Sequence, residues 1–206
     1  RKAAAELGSR VSRALTQAGL VADDDAQGEE LVLTYDAFAG RLVRDFGLRL
    51  GLEGDMQLLS GASRYRVAAM AVTQHDEALA QLSRISHRSL PGRVLALDSA
   101  LAAHLVTPER LRQFSQYADA QFAEAPLYRG KPLKAVEESR EALAERLELL
   151  GLVERYRQLK QTLRLTEFAD QQAQAVTLAK EIPPVSQVMR DRFKVVLLDE
   201  YQDTSA

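Results

Sequence analysis

The chain has 206 residues, 46% of them hydrophobic and 27% charged, enough for one ordinary domain or for one domain with pieces of another. It holds no cysteine, which excludes a disulfide framework and a thiolate metal site, and its three histidines, His75, His87 and His104, stand too far apart in sequence to suggest zinc. A formal net charge of −2 gives no global attraction to nucleic acid, so any such contact must come from local patches; no run is apolar enough to span a membrane or patterned as a signal peptide, and the cytoplasm is the expected compartment.

Ala, Leu and Val dominate the apolar residues, glycine and proline are sparse and tryptophan is absent, so a mainly α chain is predicted. Helical periodicity begins at once, with Ala5, Val11, Ala14, Leu15 and Ala18 on one face and Gly19 where a C-terminal glycine belongs. Because this helix starts at Arg1 with nothing ahead of it to cap its first turn, the chain is expected to be a segment of a longer protein. "VADDDAQGEE" reads as an acidic loop that lacks the spaced ligands of a calcium site. "LVLTY" is a plausible buried strand, followed by a helix through "DAFAGRLVRDFG" with Phe38, Leu42 and Val43 inward.

From about Leu48 to Arg164 no convincing strand is found. "ASRYRVAAMAVTQHDEALAQLSRI" and "RVLALDSALAAHL" have helical composition. "VTPERLRQFSQYADAQF" carries a start signal, Thr107 as N-cap and Pro108 at the first helical position. The long charged stretch 133–164 reads as a helix that Gly151 is expected to break or bend. Thr166 is then the predicted cap of a helix through "EFADQQAQAVTLAKEI", Pro183 and Pro184 stop it, and "PVSQVMRDRF" forms one more. "KVVLLDE" closes the series as an apolar strand of the kind buried on both faces of a parallel sheet.

An apolar strand ending in Asp-Glu sets two carboxylates at the carboxyl edge of a sheet, where open α/β folds bind ligands. Asp199 is suited to hold Mg²⁺ through its water shell, and Glu200 to take a proton from an attacking water. Two basic stretches interleaved with tyrosine suit phosphate contact and stacking: "YRGKPLK", with Tyr128, Arg129, Lys131 and Lys134, and "ERYRQLKQTLR", with Arg155, Arg157, Lys160 and Arg164. Glutamates at 137, 138, 141, 145 and 148 could instead pair with such bases on a solvated helix face.

"LLDEYQDTS" closely resembles the Walker B segment, motif II, of the UvrD/Rep family of superfamily 1 DNA helicases. "RKAAAELGSRV" resembles the second half of that family's motif Ia, and "TYDAFAGRLVRDFG" its motif Ib, with Thr34, Tyr35, Arg41 and Arg44 on matching positions and Asp36 where histidine is usual. "YRQLKQTLRLTEFADQ" is similar, more loosely, to the lead-in to motif II.

The resemblance implies a mainly α fold in which a helical insertion resembling domain 1B, residues 46–165, is flanked by two partial pieces of a P-loop α/β motor domain resembling 1A, residues 1–45 and 166–206. It implies that Glu200 is catalytic, that Asp199 binds the metal, that Asp199, Glu200 and Gln202 contact nucleotide, and that Lys2, Thr34, Tyr35 and Arg41 join Arg129, Lys131, Lys134, Arg157 and Lys160 on single-stranded and duplex DNA. The implied parent is an ATP-dependent helicase of 3′ to 5′ type using ATP and Mg²⁺. The Gly-Lys-Thr/Ser loop that grips phosphates occurs nowhere in this sequence, so the chain alone is expected to bind neither and to be inactive. Two other readings remain: a subunit of a helicase-nuclease of the recombination type, and a helical protein-docking module without DNA contact.

Overall fold

The computed structural model describes residues 2–19, 32–52 and 56–200. Eight α-helices and one two-stranded parallel sheet are present among them, in the order α1 (Lys2–Gln17), α2 (Tyr35–Phe46), β1 (Gln57–Leu58), α3 (Gly61–Thr73), α4 (Leu90–Ala103), α5 (Pro108–Ala123), α6 (Lys134–Thr162), β2 (Leu165–Thr166), α7 (Phe168–Glu181) and α8 (Pro183–Arg192). The mainly α expectation holds. The chain divides into two compact units, one of Arg1–Gly54 with Gln174–Lys194 and one of Asp55–Ala173 with Val195–Ala206.

The larger unit is a helical bundle built on α6, against which α3, α4 and α5 all pack. Its core is aliphatic, with Val67, Ala68, Ala71, Val94, Leu101, Leu150, Leu152 and Val153 buried around Tyr156. Gly151 does not stop α6, which runs unbroken for 29 residues. A helical glycine costs about 1 kcal/mol against alanine, whereas its fully buried neighbours Leu150, Leu152 and Val153 each gain about 1.5–3 kcal/mol from leaving water. Packing therefore overrides propensity. The helix ends on Leu163, with Arg164 in the left-handed region at φ 53°.

The sheet closes this unit. Gln57 N–H donates to the Arg164 carbonyl at 2.8 Å and Leu59 N–H to the Thr166 carbonyl at 2.8 Å, so the segments that open and close the bundle lie side by side. Two residues per strand are too few to show a period of two, so no alternation in the sequence marks this sheet. Thr166 belongs to β2 and is not the cap expected of it; the carboxylate of Asp170 accepts the Glu167 N–H instead, at 2.9 Å. The segment read as one helix over 62–85 ends at Thr73 and resumes only as a 3₁₀ turn, Gln81–Arg84, whose Leu82 N–H donates to Glu148 at 2.7 Å.

Neither predicted strand of a motor-domain sheet is observed. Val32–Thr34 is extended chain leading into α2, and Val195–Leu198 is irregular and exposed, Leu197 at 91%. An apolar run is a strand only where a neighbour takes its N–H and C=O groups, and among the described residues no ladder includes either segment. In the smaller unit Leu42 and Ala39 of α2 meet Ala175 and Leu178 of α7 and Val185 of α8. Phe38, expected inward, is 39% exposed and meets Phe193 edge-on at 6.2 Å.

Candidate functional site

The carboxyl-terminal carboxylates are both exposed, on the chain that follows the apolar run. The Asp199 carboxylate accepts the Glu200 N–H at 2.9 Å, and Glu200 sits at φ 52°, a left-handed conformation that costs a non-glycine residue about 1–2 kcal/mol. Gln202 lies outside the described residues.

At the other end of the sequence, Lys2 opens α1 and its side chain lies outside the description. Thr34 is the N-cap of α2, its hydroxyl accepting the Ala37 N–H at 3.2 Å, while Tyr35 is largely exposed. Asp36, which departs from the family pattern, stands in the first turn of α2, where the helix dipole favours an anion. Arg41 is 3.8 Å from Asp45, one turn along.

The first basic patch folds into a hairpin. Tyr128 and Lys131 exchange both backbone hydrogen bonds, at 2.9 and 3.1 Å, across Arg129 and Gly130. These two central residues have φ of 52° and 77°, the double positive φ of a type I′ turn, in which a glycine at the second position is free of strain. The tip is fully in solvent: Leu127, Tyr128, Arg129, Lys131, Leu133 and Lys134 are all exposed, and the Arg129 guanidinium lies 5.3 Å from the centre of the Tyr128 ring. Lys134 meets Glu138 at 3.0 Å, a surface pair that water largely screens.

Two members of the second basic patch, Arg157 and Lys160, differ from the solvent-facing position expected of them, while Arg164 is exposed. Lys160 is 3% exposed, and its ammonium touches Asp170 at 2.7 and 2.9 Å, Glu167 at 3.1 Å and Asp98 at 3.4 Å. Arg157 donates to Asp98 at 2.6 Å. Arg64 of α3 forms a close ion pair with Glu167 and donates to Ser99 at 2.5 Å, and the Tyr156 hydroxyl donates to Glu167. Three cations thus face three carboxylates drawn from α3, α4, α6, the chain after β2 and the start of α7. A phosphate could reach Lys160 only by breaking this cage. Position on α6 explains the difference: Tyr156, Leu159 and Lys160 share the buried seam of the helix with Val153.

Burial pushes the Lys160 ammonium down, but the carboxylates of Asp170, Asp98 and Glu167 outweigh it and hold the group above its ordinary range. Tyr156 is pushed up as well, first by burial and then by its hydrogen bond to Glu167. Both keep their protons at neutral pH, and with its charges matched the cage is structural. Sequence reasoning missed Asp98, Glu167 and Arg64 altogether. One sign was available: Asp98 lies four residues after Val94 and three before Leu101, an acid on the apolar stripe of "RVLALDSALAAHL".

No helix among the described residues is long and apolar enough to cross a membrane, and no group of three or more His, Cys, Asp or Glu side chains among them is disposed to hold a metal ion. No curated protein matches the chain. The family model of the UvrD/REP helicase N-terminal domain, by contrast, matches residues 1–206, from the helix opened by Lys2 through the Asp199–Glu200 pair. Since that match leaves no part of the sequence outside it, the chain belongs to the UvrD/REP helicase N-terminal domain family.

Proposed function

We propose that this chain is part of an ATP-dependent DNA helicase that resembles the 3′ to 5′ UvrD/Rep type, supplying a helical accessory domain like 1B and the Walker B pair Asp199 and Glu200. The observation that carries the reading is the family match across residues 1–206, together with an apolar run that ends in Asp-Glu. Asp199 and Glu200 offer the hard carboxylate oxygens that magnesium takes, and that ion needs only one or two such ligands beside phosphate and water, so the residues fit it. When bound, Mg²⁺ would neutralise charge on a triphosphate. Glu200 would take the proton of an attacking water, and Asp199 would hold the ion. The chain's own residues do not fit the triphosphate, because no Gly-Lys-Thr/Ser loop is present to cradle it.

The purified 206-residue chain is therefore expected to show no magnesium-dependent ATP turnover, measured as phosphate release. Turnover that disappears in Glu200→Gln would overturn this part of the reading.

DNA contact is proposed for Lys2, Thr34, Tyr35 and Arg41 and for the 128–134 hairpin, whose Arg129, Lys131 and Lys134 present three cations beside an exposed ring. Arg157 and Lys160 are left to the cage. The hairpin's three phosphate contacts alone predict a slope of log affinity against log salt near −2.7, so binding of a forked duplex should weaken at least about 40-fold between 50 and 200 mM salt. Fluorescence anisotropy would measure it. Affinity unchanged in Arg129→Ala/Lys131→Ala, or a flat salt response, would remove the hairpin from the interface.

A further inference from the structure

Helix α5 carries a second stripe that its own fold does not use. Its inner side is accounted for by α6 and the core: Leu111 packs on the core, Ser115 is fully buried, Arg112 pairs with Glu154 at 2.6 Å, and Asp119 is held by Arg140 at 2.7 Å. On the far side, at about 100° per residue, Arg110, Phe114, Tyr117 and Gln121 fall within an arc of roughly 60°. Phe114 is 57% exposed and Tyr117 64%, while Arg110, Gln113, Ala120, Gln121 and Glu124 are exposed beside them. Two neighbouring solvent-facing aromatic rings on an otherwise well-packed helix mark an interaction surface.

The charges around the rings decide what it fits. A strand of nucleic acid would find rings to stack on but no cationic track, since the stripe begins with one arginine and ends with one glutamate. That same pattern is complementary to itself. With a two-fold axis at Tyr117 and a second α5 running the opposite way, Arg110 meets the other copy's Glu124, Phe114 lies over Gln121 on one edge, Gln113 lies beside the small Ala120 on the other, and the Tyr117 rings meet on the axis. Every pairing off the axis then occurs twice, as an isologous interface requires.

We propose that the outer stripe of α5 is a docking surface for a second copy of this chain, forming an antiparallel α5–α5 contact centred on Tyr117. With about six residues per side, the contact belongs to the small, transient class below about 1,000 Å², so it forms at high protein concentration.

Sedimentation equilibrium of the 206-residue chain, over roughly 10 µM to 1 mM to suit such a weak contact, is the test. A monomer–dimer equilibrium is expected, abolished by Phe114→Ser/Tyr117→Ser. These side chains are exposed, and an unchanged circular dichroism spectrum would confirm that the variant folds. Arg110→Glu and Glu124→Arg should each weaken association roughly tenfold, and the two together in one chain should restore it, since two exposed ion pairs are lost in each single variant and regained with reversed sign in the double. A chain that stays monomeric throughout would overturn the proposal. So would a double reversal that fails to restore association. Association that survives the serine variant but not Leu197→Lys would move the contact to the exposed 195–198 run. Binding of a thymidine 20-mer, lost in Phe114→Ser and without self-association, would give the stripe to nucleic acid instead.

Discussion

Lys160→Met is expected to destabilise the helical unit by about 3–5 kcal/mol, the cost of leaving buried charge without its partner. Methionine keeps most of the stem's volume, so the loss reports the ammonium and not a cavity. With the ammonium gone, Asp98 keeps Arg157, Glu167 keeps Arg64 and the Tyr156 hydroxyl, and Asp170 keeps the Glu167 N–H, while Asp98 and Glu167 have almost no access to water. Urea unfolding followed by circular dichroism at pH 7.5 would give the number, and a loss under about 1 kcal/mol would mean the cage is solvated. The native chain has a pH limit of its own. Lys160 and Tyr156 both hold their protons in the folded state beyond the pH at which the unfolded chain releases them, so their contribution is complete below about pH 10 and is lost as pH rises above it.

The helices were legible where the local chemistry was complete in a few residues. Thr107 with Pro108 marks the start of α5, where the hydroxyl accepts the Arg110 N–H three residues on. What could not be read depends on partners distant in sequence. Gly151 breaks a helix by propensity, but the aliphatic residues beside it are buried against α3 and α4, helices far earlier in the chain. The 195–198 run has the composition of a central strand, yet composition does not supply the neighbours that make one. Conversely β1 and β2 have no strand composition to speak of and pair because the bundle between them brings its two ends together.

The proposed site divides along the same line. Asp199 and Glu200 stood out because two acids after an apolar run is a local pattern, and Arg129 and Lys131 because Tyr-Arg-Gly-Lys is a turn with its charges attached. Lys160 was misplaced because a lysine in a charged helix looks the same whether it faces water or a buried acid. Only the acids could have revealed it, and they lie on α4 and beyond β2. An acidic residue on the apolar stripe of one helix, with a lysine on the apolar stripe of another, is the pattern to seek in such bundles.

The smaller unit should prove the more fragile of the two. Among the described residues its buried hydrophobics are Ala39, Leu42, Ala175, Leu178 and Val185, two of them alanines, so Leu178 supplies a large part of the surface removed from water. The core cluster of the helical unit has fourteen among the described residues. Leu178→Ala and Leu150→Ala each remove a fully buried leucine and should each cost about 2–5 kcal/mol. A unit of this size has only about 4–11 kcal/mol in total at typical stability per residue, so the first loss consumes a much larger share. Amide hydrogen exchange separates the outcomes. In Leu178→Ala, amides of α2 and α8 should exchange at least about 30-fold faster while α4 and α6 keep their protection; in Leu150→Ala the pattern should reverse. Equal acceleration in both sets of helices by either substitution would mean that the chain unfolds as one cooperative body, and that the two cores are thermodynamically a single one.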